Sequence, residues 1–230
     1  GAINMWFDRD IDKIMKRTQN RPIPAGRVDA SEALGFGVVM AVASVVLLAV
    51  TTNPVAAALL AVAILFYVFI YTIWLKRLTP QNIVIGGAAG AFPPMIGWAA
   101  VTGDVTLFPV ILFMIIFIWT PPHFWALSLL IKDEYKNARV PMLPVTSGVK
   151  ITKTKIFIYT LIMSAVAFTP YLMGFSGIFY FYVALFLNSI FIYYAGKIQT
   201  DKTKTSAKNC FLFSIFYLFA LFMALVIDAV

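Results

Sequence analysis

Seven blocks of the chain are apolar almost without interruption, and each is long enough for a membrane-spanning helix, which needs about 20 mostly apolar residues. Short or polar linkers separate the blocks, and we find no soluble domain or repeat between them. From this pattern we predict an all-α, polytopic membrane helix bundle. The blocks fall at residues 33–52, 55–74, 82–101, 107–131, 154–173, 177–196 and 210–228.

Composition supports lipid as the main solvent of the chain. Of its 230 residues, 61% are hydrophobic and 12% are charged, whereas a soluble domain is about 45–50% apolar and about 25% charged. These values exclude a soluble globular enzyme and a disordered chain. The single cysteine, Cys210, excludes an internal disulfide. Because residues 1–8 resemble the end of a helix whose beginning is missing, we expect a fragment of a longer protein.

All 18 basic residues lie in four alternate connections, so they share one side of the predicted membrane. By the positive-inside rule that side is cytoplasmic, or matrix in an organelle. The net charge of +8 is thereby explained without a nucleic-acid partner. The four groups are Arg9, Lys13, Lys16, Arg17, Arg21 and Arg27; Lys76 and Arg77; Lys132, Lys136, Arg139, Lys150, Lys153 and Lys155; and Lys197, Lys202, Lys204 and Lys208.

The first polar segment carries a spaced set of oxygen ligands. On a helix, Asn4, Asp8 and Asp12 fall within an arc of about 80°. Acids spaced by four residues repel each other, and a divalent cation removes that cost. Mg²⁺ commonly joins one or two carboxylates to substrate phosphates. The alternative is a solvated helix end whose acids pair with the basic residues interspersed among them, Arg9, Lys13 and Lys16.

Several basic and aromatic residues fit either anion binding or membrane topology. Arg17 and Arg21 are four apart, and guanidinium groups match phosphate oxygens. Basic loops also fix orientation without any ligand. At the end of the second block, an interfacial belt is sufficient to explain Tyr71, Lys76 and Arg77, and the local sequence does not indicate a phosphate contact.

The fourth block contains the only histidine of the chain, next to two prolines. Pro121 and Pro122 predict a kink, and polar residues near such breaks often line a cavity. His123 fits a base, an axial ligand of a metalloporphyrin or a packed hydrogen-bonding residue. Asp133 and Glu134 follow on the basic side and allow a second Mg²⁺ near a diphosphate, although neighbouring lysines also balance them.

Motifs for other chemistries are missing from the sequence. It has no Gly-x₄-Gly-Lys-Ser/Thr loop, no Gly-x-Ser-x-Gly elbow and no Cys/His zinc spacing. A secondary transporter with intramembrane ion-binding acids is an alternative from another class. Seven blocks without a repeat give it little support. A non-catalytic fragment or assembly partner is a third possibility.

Several longer stretches carry a family resemblance. The sequence resembles the haem O synthase (protohaem IX farnesyltransferase) branch of the UbiA family of intramembrane prenyltransferases. The acidic segment indicates the wider family, and the other stretches indicate the haem branch. The stretches are residues 4–12, 15–18, 20–22, 71–87, 93–98, 122–127 (Pro-His-Phe-Trp-Ala-Leu) and 141–145 (Pro-Met-Leu-Pro-Val).

The resemblance implies nine helices around a central cavity. Residues 1–230 would then form a single integral-membrane prenyltransferase domain that lacks its first helix and most of the second. The implied reaction transfers a farnesyl group from farnesyl diphosphate to a vinyl group of haem B, with Mg²⁺, to give haem O. A sister enzyme acting on a quinone or chlorin is the nearest alternative, and the Pro-His-Phe-Trp and Pro-Met-Leu-Pro stretches argue against it.

The resemblance also implies a location and partners. We expect a bacterial cytoplasmic (inner) membrane protein with its active-site loops on the cytoplasmic side. Besides the lipid bilayer and the two substrates, the expected partners are haem A synthase or oxidase assembly factors.

Individual roles are carried over by the same resemblance. Asn4, Asp8 and Asp12 would bind Mg²⁺, with Asp8 and Asp12 catalytic. Asp133 and Glu134 would stand at a second metal motif, although Asn137 replaces its second Asp. His123 would face the porphyrin as a ligand or an acid–base group. The residues that would bind diphosphate are Arg17, Arg21, Tyr71, Lys76 and Arg77.

Overall fold

A computed structural model of the chain describes residues 1–201 and 203–228. All regular elements in these residues are helical. Seven segments among them are long and apolar enough to cross a membrane, which confirms the predicted all-α membrane protein. The segments are Ala30–Thr51, Pro54–Arg77, Asn82–Thr102, Leu107–Leu130, Gly148–Leu172, Ile178–Thr200 and Thr205–Asp228.

The predicted starts of two spans are wrong by five or six residues. The fifth span begins at Gly148 rather than 154, and the seventh begins at Thr205 rather than 210. Both helices extend into lysine-bearing sequence, because a lysine stem can lie along an apolar helix while its charge reaches water. One residue of the basic set, Lys202, lies outside the described residues.

The helices are numbered here in chain order. They are α1 (Ala2–Phe7), α2 (Arg9–Ile14), α3 (Ala30–Thr51), α4 (Pro54–Leu65), a π-helix (Phe66–Trp74), a 3₁₀ turn (Leu75–Arg77), α5 (Asn82–Ala91), α6 (Pro93–Thr102), α7 (Leu107–Leu130), α8 (Lys132–Asn137), α9 (Leu143–Thr146), α10 (Gly148–Ala167), α11 (Thr169–Leu172), α12 (Ile178–Thr200) and α13 (Thr205–Asp228).

The chain folds as two compact units. Unit 1 comprises Gly1–Val105 and Lys132–Met142, and unit 2 comprises Thr106–Ile131 and the residues from Leu143 onward. The acidic segment and the later acidic pair therefore belong to unit 1, whereas His123 belongs to unit 2.

In unit 1, the side chain of Asn53 connects the start of the second span to the third span. The side chain of Asn53 accepts a hydrogen bond from the Ala56 amide at 3.0 Å, and Pro54 occupies the first turn of α4. Both features favour a helix start. The Asn53 amide also donates to the Ala99 carbonyl at 2.7 Å, which ties α4 to α6.

Paired prolines have different effects in two spans. Pro93 and Pro94 begin α6 and separate it from α5, so the third span consists of two helices. Pro121 and Pro122 lie inside α7, which remains continuous through both of them. The second pair therefore does not end its helix.

Unit 2 is a packed group of long helices. Helix α7 packs against α10 and α13, and α12 packs against the same two helices. Large aromatic side chains fill its interior, with Trp125 only 1% exposed and Tyr180 and Phe191 inaccessible. The Tyr180 hydroxyl donates to the Ala167 carbonyl at 2.7 Å, so its polar end is satisfied.

A neutral hydrogen-bonded chain connects three helices of unit 2. The Tyr217 hydroxyl on α13 donates to Asn188 Oδ1 on α12 at 2.7 Å. Asn188 Nδ2 donates in turn to the Ser164 carbonyl on α10 at 3.2 Å. Such contacts hold helices together in lipid, where packing alone gives no hydrophobic driving force.

Candidate active site

The acidic segment keeps its three spaced polar side chains buried. Asn4 and Asp12 are 8% and 3% exposed, and Asp8 is inaccessible. Helix α1 ends before Asp8 and α2 begins after it. The amides of Asp8 and Asp12 nevertheless bond the carbonyls four residues earlier, at 2.9 and 2.8 Å. The four-residue spacing therefore continues across the junction.

Asp8 is surrounded by donors from two parts of unit 1. Lys76 forms an ion pair with Asp8 Oδ2. Asn4 Nδ2 donates to the same oxygen at 2.8 Å, and Arg77 Nη2 lies 3.4 Å from Oδ1. The cations come from the end of the second span, and the interspersed Arg9, Lys13 and Lys16 do not pair with this carboxylate within the described residues.

Arg77 joins the second span to the acidic segment. Its guanidinium donates to both oxygens of Asp10 at 2.8 and 2.7 Å and to the Phe7 carbonyl at 3.0 Å. It also lies 4.8 Å from the centre of the Phe7 ring. The hydrogen bond from Arg77 holds the pKa of the Asp10 carboxyl below its usual range. Interfacial anchoring alone does not account for this bidentate arrangement.

Asp12 has a partner of its own in the loop that follows α2. Arg21 Nη1 donates to Asp12 Oδ2 at 2.8 Å. The Thr18 hydroxyl donates to the Asp12 carbonyl at 3.1 Å and fixes the turn between them. Each buried carboxylate of the segment thus has a basic residue beside it.

Arg17 is exposed and makes no hydrogen bond or ion pair with a described residue. Its charge acts on Tyr71 and on Tyr135 of α8. Burial raises the pKa of the Tyr135 phenol, and the Arg17 charge opposes that shift. Arg17 is therefore a cation near the acidic segment whose hydrogen-bond donors remain available.

Tyr71 lies on the π-helix. This helix type is rare in proteins, and where it occurs it is frequently at a functional site. Its ring stacks on Tyr67 with centroids 5.7 Å apart. The ring also fills the space above Gly86 on α5, where an added Cβ would overlap it. Asp8 acts on both tyrosines electrostatically. Gly86 thus makes room for an aromatic side chain beside the acidic segment.

Thr72 determines how Asn4 is oriented. Asn4 Nδ2 donates to Asp8 at 2.8 Å and to the Thr72 hydroxyl at 3.3 Å. An amide nitrogen has two hydrogens, so both are used. The carbonyl oxygen Oδ1 is left as the free ligand atom of Asn4.

The later acidic pair is divided between two environments. Asp133 is exposed, whereas Glu134 is partly buried. Glu134 Oε2 is buried and has no hydrogen-bond partner. A buried carboxylate oxygen without a partner is costly, so this atom is suited to a cation or an incoming donor.

The donor set of unit 1 fits Mg²⁺ in its usual mode. Within residues 1–201 and 203–228, no three His, Cys, Asp or Glu side chains form a group that could hold a metal ion. Mg²⁺ generally takes one or two carboxylates and completes its shell with water and substrate phosphate. Asp8, Asp12 and Asn4 Oδ1 supply hard oxygens of that kind, so the residues fit an ion that arrives with a diphosphate.

His123 lies in unit 2 on α7, partly buried. Its Nδ1 is 2.7 Å from the hydroxyl of Ser214 on α13. Trp119 stacks on the imidazole with centroids 4.2 Å apart, and Phe211 lies at 4.8 Å. The histidine is thus held between two helices of its own unit by aromatic rings and one hydroxyl.

The structure brings most of the expected residues of unit 1 together. Asn4, Asp8, Lys76 and Arg77 form one hydrogen-bonded cluster, and the Asp12–Arg21 pair continues the same segment. Asp133 and Glu134 form no hydrogen bond with this cluster among the described residues.

Four residues with positioning contacts were missed by sequence reasoning, namely Asp10, Thr72, Gly86 and Ser214. Asp10 lies within the acidic segment, but nothing in the local sequence indicated that it pairs with Arg77. The contacts of Thr72 and Ser214 join residues 68 and 91 positions apart, so no local signal could reveal them.

Comparison with known proteins gives a consistent result. The UbiA prenyltransferase family matches residues 1–225. Protoheme IX farnesyltransferase of Granulibacter bethesdensis is 54% identical over 99% of this chain and 75% of its own length. The proteins of the same name from Acidiphilium cryptum and Brucella ovis are 53% and 50% identical, over 99% and 100% of the chain and 75% of their own lengths.

Solved structures agree on the fold. One concerning digeranylgeranylglyceryl phosphate synthase in membranes has a TM-score of 0.81 at 21% identity, and the match covers 99% of this chain and 79% of that one. A UbiA homologue from Archaeoglobus fulgidus bound to DMAPP and Mg²⁺ has a TM-score of 0.62 at 14% identity, with coverage of 98% and 82%.

The family match spans nearly the whole chain, and relatives of half or more identity support it. It confirms the predicted enzyme class, a transferase of prenyl groups. The chain belongs to the UbiA prenyltransferase family.

Proposed function

We propose that this chain transfers a farnesyl group from farnesyl diphosphate to a vinyl group of haem B and produces haem O. The observation that carries the proposal is the identity of 50–54%, over 99–100% of the chain, to proteins named protoheme IX farnesyltransferase. The buried acid–base cluster of unit 1 supports it, because a diphosphate leaving group needs that combination. Residues 1–230 would act as one membrane prenyltransferase domain.

The acidic segment would hold Mg²⁺ through Asp8, Asp12 and Asn4 Oδ1. The ion, when bound, would neutralise charge on the departing diphosphate. Asp8 is inaccessible and Asp12 nearly so, and electrostatic interactions are stronger where water is excluded. Glu134, with its unpartnered oxygen, and Asp133 are the candidates for a second ion.

The basic side chains would receive the diphosphate itself. Lys76 and Arg21 contact the carboxylates that would bind the ion, so they lie beside the expected anion. Arg17 has free donors, and Arg77 is fixed by Asp10. Tyr71 would add a hydroxyl. Fixed cations placed where negative charge develops are generally a major source of rate enhancement.

The chemistry balances with water as the third reactant. The bond between farnesyl C1 and the diphosphate oxygen breaks, and its electron pair leaves with the diphosphate. The terminal vinyl carbon of haem then bonds to C1, and the carbon next to the porphyrin takes the oxygen of water, which loses a proton. Since the vinyl group is a weak nucleophile, positioning must contribute strongly, and the apolar surroundings of the site would keep water from the allylic carbon.

His123 would act on the porphyrin, either as a ligand or as an acid–base group. It is the only histidine of the chain and lies within a span, where polar residues generally mark functional positions. The expected location is the bacterial cytoplasmic membrane, with the basic connections and the acidic segment on the cytoplasmic side.

The test is a direct assay. Purified protein in detergent is incubated with haem B, farnesyl diphosphate and Mg²⁺, and the product is identified by chromatography and mass. We expect haem O and diphosphate in equal amounts, and no product with EDTA. Parallel reactions contain a quinone precursor or a chlorin instead of haem. Prenylation of one of those acceptors without any haem product would overturn the haem assignment.

A further inference from the structure

Ser214 makes two hydrogen bonds that together specify a proton position on His123. Ser214 is inaccessible and lies on α13. Its hydroxyl donates to the Phe211 carbonyl one turn earlier at 2.6 Å. The same oxygen lies 2.7 Å from His123 Nδ1 on α7. Both distances are short for their type, so both contacts are strong constraints.

Counting protons decides the tautomer. A serine hydroxyl has one hydrogen and two lone pairs. Since the hydrogen is directed to the Phe211 carbonyl, Ser214 Oγ must accept from His123, and Nδ1 therefore carries the hydrogen. In a neutral imidazole the other nitrogen, Nε2, then has the lone pair. Nε2 makes no hydrogen bond with any described residue.

The ring is also fixed in orientation. Trp119 stacks on the imidazole at an angle of 20°. The indole Nε1 of Trp119 donates to the backbone carbonyl of Ser214 at 2.8 Å, which links the stacking ring to the same serine. Phe211 packs beside the imidazole with centroids 4.8 Å apart. With three neighbours in place, the imidazole has little freedom to turn over.

We propose that Ser214 is a positioning residue that holds His123 as the Nδ1–H tautomer and so presents Nε2 as a neutral nitrogen ligand for the iron of haem. The inference rests on the proposed haem substrate. Metal-binding histidines generally donate their second ring N–H to an oxygen, and that oxygen is here a serine hydroxyl. Because the acceptor is uncharged, the ligand is imidazole rather than imidazolate. Among the roles left open for His123, this arrangement favours the ligand.

The experiment separates ligation from general binding. Purified protein in detergent is titrated with ferric haem and, separately, with metal-free protoporphyrin IX, which has no iron to ligate. Absorption and electron paramagnetic resonance spectra report the axial ligand. For Ser214→Ala we expect ferric haem affinity to fall by about 10–100-fold and the histidine-ligated spectrum to be lost. Protoporphyrin IX affinity should remain unchanged.

Three further variants complete the test. Ser214→Thr retains the hydroxyl and should restore the wild-type spectrum, and Ser189→Ala removes an exposed serine of α12 and should have no effect. His123→Gly should lose the spectrum and regain it with added imidazole. A wild-type spectrum in Ser214→Ala, or in His123→Gly without imidazole, would overturn the inference. If wild-type protein neither binds nor farnesylates haem, the proposed function fails instead.

Discussion

Units 1 and 2 both bury polar groups in a membrane protein, but they do so in different ways. Unit 1 buries carboxylates, and the cations beside them come from Lys76, Arg77 and Arg21. Unit 2 buries the neutral Tyr217–Asn188–Ser164 chain, and both donors of that chain have neutral acceptors. Buried charges are far more expensive than buried neutral groups.

The two kinds of buried group are expected to serve different purposes, assembly for the neutral groups and ligand binding for the charged ones. A neutral hydrogen bond between helices is permanent and inexpensive, so it serves assembly. Burial of a carboxylate–cation pair is costly, and it is expected where both partners also bind a ligand. The carboxylate can then bind a metal ion, and the cation can bind a phosphate. We therefore expect changes in unit 1 to affect turnover most, and changes in the neutral chain to affect only stability.

The largest effect is expected for Asp8→Asn, which removes one charge with little change of shape. Turnover should fall by about 10²–10³-fold, the size reported for loss of one preorganised transition-state contact. Lys76 would lose its partner. Breaking a buried pair costs about 3–5 kcal/mol, and the lower value is expected because the Lys76 side chain is 15% exposed. Product assays and thermal unfolding in detergent measure the two effects.

A double variant separates these effects. Asp8→Asn combined with Lys76→Met removes the uncompensated charge, so stability should return while turnover stays low. Asp104→Asn, at an exposed position before α7, is the matched control and should behave as wild type. Full turnover in Asp8→Asn would refute the role of the acidic segment.

A smaller effect is expected for Gly86→Ala, which places a methyl group where the Tyr71 ring lies. Overpacking of this kind costs about 1–3 kcal/mol, and the displaced ring should raise KM for farnesyl diphosphate more than it lowers kcat. On the same helix, Gly90→Ala meets no atom within 4 Å. Equal results for the two glycines would contradict the positioning of Tyr71.

Tyr217→Phe tests the other side of the comparison. It removes the hydrogen bond to Asn188, and intramembrane hydrogen bonds contribute about 0.6 kcal/mol on average. We expect a slightly lower Tm and unchanged turnover, with the exposed Tyr182→Phe as control. A loss of turnover at unchanged Tm would show that unit 2 uses this chain for more than assembly.

The smallest effect concerns an acid outside the spans. Hydrogen bonds from Ser206 and Thr203 hold the pKa of the Asp201 carboxyl below its usual range. A lowered folded pKa adds stability above the unfolded value of about 3.9, and that stability is lost as pH falls through the folded pKa. The Tm difference between wild type and Asp201→Asn should be constant from pH 8 to about 5 and shrink below about 4. A difference that grows as the pH falls below about 4 would contradict this account.

The sequence predicted the spans and the acidic row because both depend on local periodicity. Apolar blocks of about 20 residues specify spans regardless of their neighbours, and the four-residue spacing of Asn4, Asp8 and Asp12 places them together on any helix. The ends of the fifth and seventh spans were wrong because lysines near a helix end do not stop the helix.

The partners of the acids required the tertiary fold. Lys76 and Thr72 lie 68 positions from the residues they contact, and Ser214 lies 91 from His123. Their local sequence fitted an interfacial belt or a lipid-facing helix equally well. The π-helix was also missed, since Phe66–Trp74 has the apolar composition of an ordinary span.

The π-helix also bears on how this chain can be aligned with distant relatives. Its hydrogen bonds reach five residues rather than four, so it holds more residues per turn than the α-helix before it. Deleting one residue from Phe66–Trp74 would favour α-helical pairing, and the tighter winding would offset much of the rotation caused by the missing residue, so Lys76 and Arg77 would stay near their present face. A one-residue gap in this span is therefore compatible with the same cation arrangement in relatives whose span is α-helical throughout.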